Sequence, residues 1–324
     1  MSHRPVVLLT QSMHADGEAL LAQHVRIITA PDTKLETLRE WAAEADGIIV
    51  RAKLPDDIVD HAPRLKGMVR HGVGLDFIPV EAATARGVAV ANLPGSNTNA
   101  VAEYAISALM HLRRPLYRMD GLLRSDGWAT SRAVAESLSE LRGATLGILG
   151  VGTIGRHLAG IARTGFGMKI LGTSRRKGVM PEGIEEVTLD ELFLRSDAVV
   201  VCCTLTDETR GIVSRDILAK MPGHSVLVNV SRGAVIDTAA LIDALQSGQL
   251  AGAALDVFDV QPLPSDSALF ACPNLLLTPH AAAITASSSR AMAVGAAEEM
   301  LRILRGEMPL NLVNPGHKAR QANL

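Results

Sequence analysis

Short aliphatic runs alternate with amphipathic stretches along almost the whole chain. In the first third the runs are PVVLLT (5–10), VRIIT (25–29), DGIIVR (46–51), KGMVRHG (66–72) and GVAVAN (87–92). Between them lie amphipathic segments such as DGEALLAQ and KLETLREWAAEA. Strands that alternate with helices predict parallel sheets covered on both faces.

A long helix is predicted over 96–114, SNTNAVAEYAISALMHLRR. Ser96 or Asn97 can cap it, Glu103 lies in its first turns, and Arg113 and Arg114 sit near its end, a polarity that suits the helix dipole. Pro115 limits how far it continues. A second alternating series begins at RGATLGILGVGTIG (142–155). It runs through KILGTS (169–174), DAVVVCCTL (197–205), HSVLVNV (224–230), GAALDV (252–257) and NLLLTPH (274–280). A last long helix is predicted over about 287–306. The two series are alike as β–α arrays, with no sequence repeat.

Composition sharpens this picture. A chain of 324 residues suits two domains better than one. Apolar residues make up 48% and aromatics only 3%, so the cores must be aliphatic. A formal net charge of −2 argues against a nucleic-acid partner held by bulk electrostatics. Cys202 and Cys203 fall in an apolar run and read as buried thiols. With Cys272 they form neither a disulfide framework nor a metal spacing, so no metal is expected. The apolar run at the N-terminus is short for a signal peptide, and no stretch reaches the roughly 18 apolar residues of a membrane span. The expectation is a soluble, cytoplasmic protein with no membrane partner.

Chemistry enters at Gly150, Gly152 and Gly155, which form G-x-G-x-x-G between a strand (ATLGIL) and a helix (IGRHLAGIARTG). That context makes the pattern a dinucleotide signal. Gly150 allows the tight turn, Gly152 lets backbone approach a pyrophosphate, and Gly155 lets helix and strand pack closely. The helix N-terminus offers free N–H groups and positive potential.

The residue that reads the adenosine ribose is expected about 20 residues on, at the end of the next strand. That end is Ser174, followed by Arg175, Arg176 and Lys177. A carboxylate there would repel a 2′-phosphate; Ser174 does not, and two planar guanidinium forks match one. At about 1.5–3 kcal/mol per charge-assisted contact, two contacts favour NADP(H) over NAD(H) by on the order of 100-fold or more. NADPH is the expected cofactor, with NAD a lesser alternative. Lys177 is as well explained by facing water.

Three stretches then end strands of the second series, where α/β sheets bind ligands. VLVNVSRGAVID carries Arg232, ALDVFDVQPLP carries Gln261 and LLLTPHAA carries His280. An arginine can bind a carboxylate and polarise the neighbouring carbonyl, while a histidine protonates the carbonyl oxygen as hydride reaches carbon.

With these residues the chain resembles the D-isomer-specific 2-hydroxyacid dehydrogenases over essentially its whole length. The resemblance rests on GVGLDFI, NLPGSNTNAVAEYA, LRGATLGILGVGTIG, NVSRGAVID, ALDVFDVQPLP and LLLTPHAA, in that order. It implies two Rossmann-like or flavodoxin-like doubly wound domains with the active site in the cleft between them. Residues 1–98 with 288–324 would form a discontinuous substrate domain, and 99–287 the cofactor domain. It also implies a homodimer built largely on the cofactor domain and the 98–114 helix.

By position, Arg232 is similar to the family's carboxylate-binding arginine, His280 to its general acid, and Val73–Gly74 to its backbone donors for the substrate carboxylate. Asp256 is similar to the residue near the nicotinamide carboxamide, and Thr204 to a cofactor contact. Thr153 and Ile154 inside the glycine motif, and Val230 beside Arg232, complete the candidate cofactor set.

The sequence departs from the family at Gln261, where a glutamate usually pairs with the histidine. A carboxylate would favour the imidazolium; a glutamine can hold the ring without adding that charge. A less basic His280 and a reductase that declines earlier as pH rises are therefore expected. Phe77 stands where many members are polar, and packing explains it adequately.

The substrate implied is a small 2-keto or 2-hydroxy acid, glyoxylate or hydroxypyruvate favoured. A 3-phosphoglycerate-like or sulfolactate-like acid is the alternative, for which Arg51 and Lys53 are the available cations. Formate dehydrogenases share the His/Gln pairing but are longer. Dinucleotide-sensing corepressors share the fold, and purified protein oxidising NADPH with glyoxylate would separate that binding role from an enzyme.

Overall fold

The structure, a computed structural model, describes residues 4–175, 178 and 180–317. The chain divides into two compact units, Met1–Asn97 with Ile284–Leu324, and Thr98–Ala283.

The first unit is built on a five-stranded sheet: β1 (Val6–Leu9), β2 (Arg26–Thr29), β3 (Gly47–Val50), β4 (Gly67–Arg70) and β5 (Ala89–Ala91). All pairings are parallel and the order is β2-β1-β3-β4-β5. The strands alternate between two buried faces, as period-two geometry requires. Val6, Leu8, Ile48 and Val50 pack with Leu38, Ile58 and Met68. Val7, Leu9, Ile49 and Val69 pack instead with Met292, Ala296 and Met300 of the helix Ala286–Leu304. The last helix of the chain therefore completes the first sheet. Small residues set how close it comes: a Cβ on Gly47 would meet Met300 Sδ at 2.3 Å, and one on Gly17 would meet the Ala293 carbonyl oxygen at 2.5 Å.

The second unit carries β6 (Thr145–Leu149), β7 (Lys169–Thr173), β8 (Glu185–Glu186), β9 (Ala198–Val201), β10 (Val226–Asn229), β11 (Gly252–Leu255) and β12 (Leu275–Leu277). The order β12-β11-β10-β9-β6-β7-β8 is parallel throughout, and successive strands are added to one side from β6 and to the other from β9. Helices Thr98–Arg113 and Thr153–Phe166 cover one face through Ala105, Leu109, Leu158 and Ala162. Leu192, Phe193, Ile217 and Leu241 cover the other. Two parallel α/β sheets, each buried on both faces, are what the alternating pattern predicts.

Some local expectations change. Ser96 does not cap the long helix: its hydroxyl donates back to the Leu93 carbonyl at 2.7 Å, and Asn97 Oδ1 is buried without a partner. The long helix does end before Pro115, at Arg113, and two short helices follow, Leu116–Ser125 and Gly127–Ala135. Cys202 and Cys203 lie just beyond the end of β9, packed toward opposite faces of the sheet, Cys203 with one core and Cys202 with the other. Burial pushes the Cys202 thiol up to about 12. All three cysteines are free. Among the described residues, no helix is long and apolar enough to cross a membrane and no group of side chains has a metal-binding arrangement.

Candidate active site

Because β6 to β12 run the same way, the segments after their carboxyl ends share one edge of the sheet. Gly150 follows β6, Ser174 follows β7, Thr204 follows β9, Val230 to Arg232 follow β10, Asp256 follows β11, and His280 follows β12. Every candidate of the second unit that sequence singles out, where it is described, belongs to this edge or to the loops just beyond it. Arg176 and Lys177 lie outside the described residues.

The glycine turn has the steric character its chemistry needs. Gly150 sits at φ 99°, where other residues are strained, and a Cβ there would meet the Cys203 backbone at 2.5 Å. A Cβ on Gly155 would meet the Gly150 carbonyl oxygen at 2.6 Å, so helix and strand approach closely. A Cβ on Gly152 would meet nothing within 4 Å. Gly152 is also the N-cap of the helix Thr153–Phe166, and no side chain caps it. Open space over an uncapped helix start fits a pyrophosphate, which the N–H groups of Thr153, Ile154 and Gly155 would meet. At the end of β7, Ser174 is half-buried and Arg175 exposed. Glu208, whose carboxyl is held below its usual range mainly by the Thr206 hydroxyl, also feels the Arg175 charge. That acidic neighbour was not anticipated from sequence, where Glu208 is distant.

Arg232 follows a tightly bonded turn. Asn229, buried at the end of β10, donates to the Arg232 carbonyl (2.9 Å) and accepts from the Ser231 amide (3.0 Å). Ser231 donates in turn to the Cys203 carbonyl. Gly233 is required here, since a Cβ would lie 2.0 Å from the Phe258 carbonyl carbon. The turn that carries Arg232 therefore presses on the loop that carries Gln261.

His280 has φ 54°, a left-handed conformation unusual for a residue with a side chain. Asp256 holds the segment around it. Only 1% exposed, Asp256 accepts from the Thr278 hydroxyl (2.6 Å) and the amides of Ala281 (2.8 Å) and Ala282 (2.9 Å), and its backbone carbonyl accepts from the His280 amide (2.8 Å). Because Thr278 donates to Asp256, the Tyr104 hydroxyl donates to Thr278 at 2.6 Å. Burial raises the Tyr104 pKa, which keeps it a donor. Gln261 Oε1 lies 3.0 Å from His280 Nδ1 and accepts its N–H. Tyr104 and Thr278 escaped the sequence reading. Only the adjacency of Thr278 to His280 in TPH offered a signal.

In the first unit, Val73 and Gly74 follow β4. The Val73 carbonyl accepts from Asn92 Nδ2 (2.8 Å) and the Gly74 carbonyl from Arg70 Nε (3.1 Å), whose guanidinium also stacks 4.6 Å from the Phe77 ring centroid. Phe77 thus packs on the cation that braces the loop. Arg51 is half-buried and donates to the Ser12 carbonyl. His71 is 7% exposed, with Nε2 buried and unpartnered. Burial, with the Arg51 and Arg70 charges beside it, pushes its pKa down to about 4.

A doubly wound parallel sheet with a glycine-rich phosphate turn, and an arginine and a histidine at the same edge, defines a dinucleotide-dependent oxidoreductase. Residues 106–282 match the family model for the D-isomer specific 2-hydroxyacid dehydrogenase NAD binding domain. The chain is 36% identical to the glyoxylate reductase of Aeropyrum pernix, over 96% of each chain. It superposes on the NADPH-dependent glyoxylate/hydroxypyruvate reductase of Sinorhizobium meliloti, solved with NADP and malonate, with a TM-score of 0.86 and 31% identity over 99% of this chain and 100% of that one. The NAD-dependent formate dehydrogenase of Staphylococcus aureus, solved with NAD, gives 0.82 and 28% over 94% and 96%. This chain belongs to the D-isomer specific 2-hydroxyacid dehydrogenase family, and it is an oxidoreductase that uses a nicotinamide dinucleotide.

Two outcomes follow from this geometry. Thr278→Val removes the donor to Asp256 and the acceptor for Tyr104, and is expected to lower kcat about tenfold or more by loosening the His280 loop. Steady-state kinetics beside an unchanged circular-dichroism spectrum checks it. His71, neutral when folded, has a folded pKa below its unfolded value of 6.5. As pH falls below 6.5 the unfolded chain takes up a proton that the folded chain refuses, so stability is lost down to about pH 4. Denaturant unfolding at pH 7 and 4.5 should show a drop about 2–3 kcal/mol smaller in His71→Gln than in the parent.

Proposed function

We propose that this protein reduces small 2-keto acids to D-2-hydroxy acids with NADPH, glyoxylate or hydroxypyruvate being the favoured substrate. The observation that carries the reading is the carboxyl edge of one parallel sheet. Along that edge lie the Gly150–Gly155 turn after β6, Arg232 after β10 and a His280 bonded to Gln261 after β12. The relatives named for glyoxylate and hydroxypyruvate reduction support the substrate class.

The bound dinucleotide supplies hydride. In this reading the Arg232 guanidinium pairs with the substrate carboxylate and polarises the adjacent carbonyl. The amides of Val73 and Gly74 are assigned to the same carboxylate; among the described residues they donate to no protein acceptor. His280 gives its Nε2 proton to the carbonyl oxygen while Gln261 fixes the ring through Nδ1. Asp256 has four acceptor positions and uses three on the His280 segment, so one is left for the carboxamide assigned to it.

NADPH preference is supported by Ser174 and Arg175 at the end of β7, in place of a ribose-binding carboxylate, although Glu208 competes for Arg175. Thr204 and Val230 keep their assignment to the cofactor. The homodimer is supported by apolar side chains on the two short helices after Pro115, Tyr117 being 85% and Trp128 71% exposed. The free thiols support a reducing, cytoplasmic setting.

A panel of 2-keto acids run with NADPH and NADH is expected to give the highest kcat/KM with NADPH and glyoxylate or hydroxypyruvate. Arg175→Ser should lower the NADPH-over-NADH ratio about tenfold or more; an unchanged ratio would reject Arg175 as the phosphate ligand. In Gln261→Glu the added carboxylate favours the imidazolium. The proton donor then survives to higher pH, and the descending limb of the reductase pH profile should move upward. Superimposable profiles would remove Gln261 from the account.

A further inference from the structure

The amino-terminal edge of the second sheet, opposite the edge just described, holds a cavity of about 570 Å³. Its walls are the last turn of the helix Thr98–Arg113, the segment 139–142 that leads into β6, and the last turn of the helix Thr153–Phe166. Three guanidinium groups line it, from Arg113, Arg114 and Arg142, against one carboxylate, Glu140.

Arg113 is the informative one. It is only 7% exposed. It donates to Ser139 Oγ at 3.2 Å and to the Asp197 carbonyl oxygen at 2.7 Å, while its buried Nε has no partner. The Asp197 carboxylate is engaged elsewhere, accepting from the Thr145 amide at 2.7 Å and lying 2.7 Å from His224 Nε2. Burial lowers the Arg113 pKa, and the Asp197 charge works against that. A buried cation without a bonded carboxylate is costly unless something neutralises it. Arg114 and Arg142 are exposed and form no ion pair among the described residues. The two helix ends bring about half a negative charge each and Glu140 a full one, which leaves positive charge over.

We propose that this cavity binds a phosphate group, free or as the ester of a small metabolite, at a place separate from the dinucleotide turn. Planar guanidinium forks match phosphate oxygens, and Arg114 and Arg142 on the cavity wall are exposed to receive them. The volume exceeds that of a bare oxyanion, which favours the ester.

Calorimetric titration at constant ionic strength, balanced with chloride, tests this with inorganic phosphate and with glycerol 1-phosphate as probes. Saturable binding is expected, tighter for the ester if an organic body fills the remaining space and equal for both if free phosphate is the occupant. The double variant Arg114→Gln/Arg142→Gln, on exposed positions, should weaken it at least tenfold. Arg175→Gln, at the other edge, should leave it unchanged. If the double variant does not fold, Arg142→Gln alone makes the comparison, with a smaller loss in the same direction. No saturable binding of either probe, an undiminished affinity in the arginine variants, or a larger loss in Arg175→Gln would overturn the proposal.

Discussion

The organisation of the second unit depends on the common direction of its strands. A parallel pair cannot be closed by a tight turn, so each strand must return through a crossover. All carboxyl ends then emerge on one edge, and residues far apart in the chain, such as Gly150, Arg232 and His280, come to lie along that same edge. Burial on both faces is the condition for this arrangement, and the aliphatic strands VVLL, GIIV, AVVV and VLVN meet it. Chemistry is concentrated at strand ends and in the loops because the middles of these strands are aliphatic and buried.

Within that frame, close backbone approach shapes the site as much as side chains do. Gly150 against Cys203, Gly155 against Gly150 and Gly233 against Phe258 leave no room for a Cβ, whereas Gly152 opens into free space. The contrast separates glycines that lock loops together from the one that leaves room for a ligand. Asp256 has the complementary task. A carboxylate with three protein donors can be buried without a cation, and it holds His280 in a left-handed conformation that a lone loop would not keep.

Gln261 marks where this chain parts from the usual family pattern. The orienting hydrogen bond to His280 Nδ1 is retained, while the charge that would favour the imidazolium is absent. Positioning and pKa tuning, which a glutamate would perform together, are separated in this sequence.

The parallel α/β architecture, the glycine turn and the placement of Arg232, Gln261 and His280 beyond strand ends were legible in the sequence. Each is encoded locally, by a run of aliphatic residues, a spacing of glycines, or a polar residue just past a strand. Only the tertiary structure decided that Tyr104, Thr278 and Asp256 form one hydrogen-bonded chain, that Glu208 lies near Arg175, and that Arg113 is buried with an unpartnered Nε. It also decided that the final helix covers the first sheet. Those facts concern which distant segments pack together and which polar atoms are left over once they have. Periodicity reports the buried face of an element but not its neighbour, because hydrophobic burial is non-directional and close packing selects the partner.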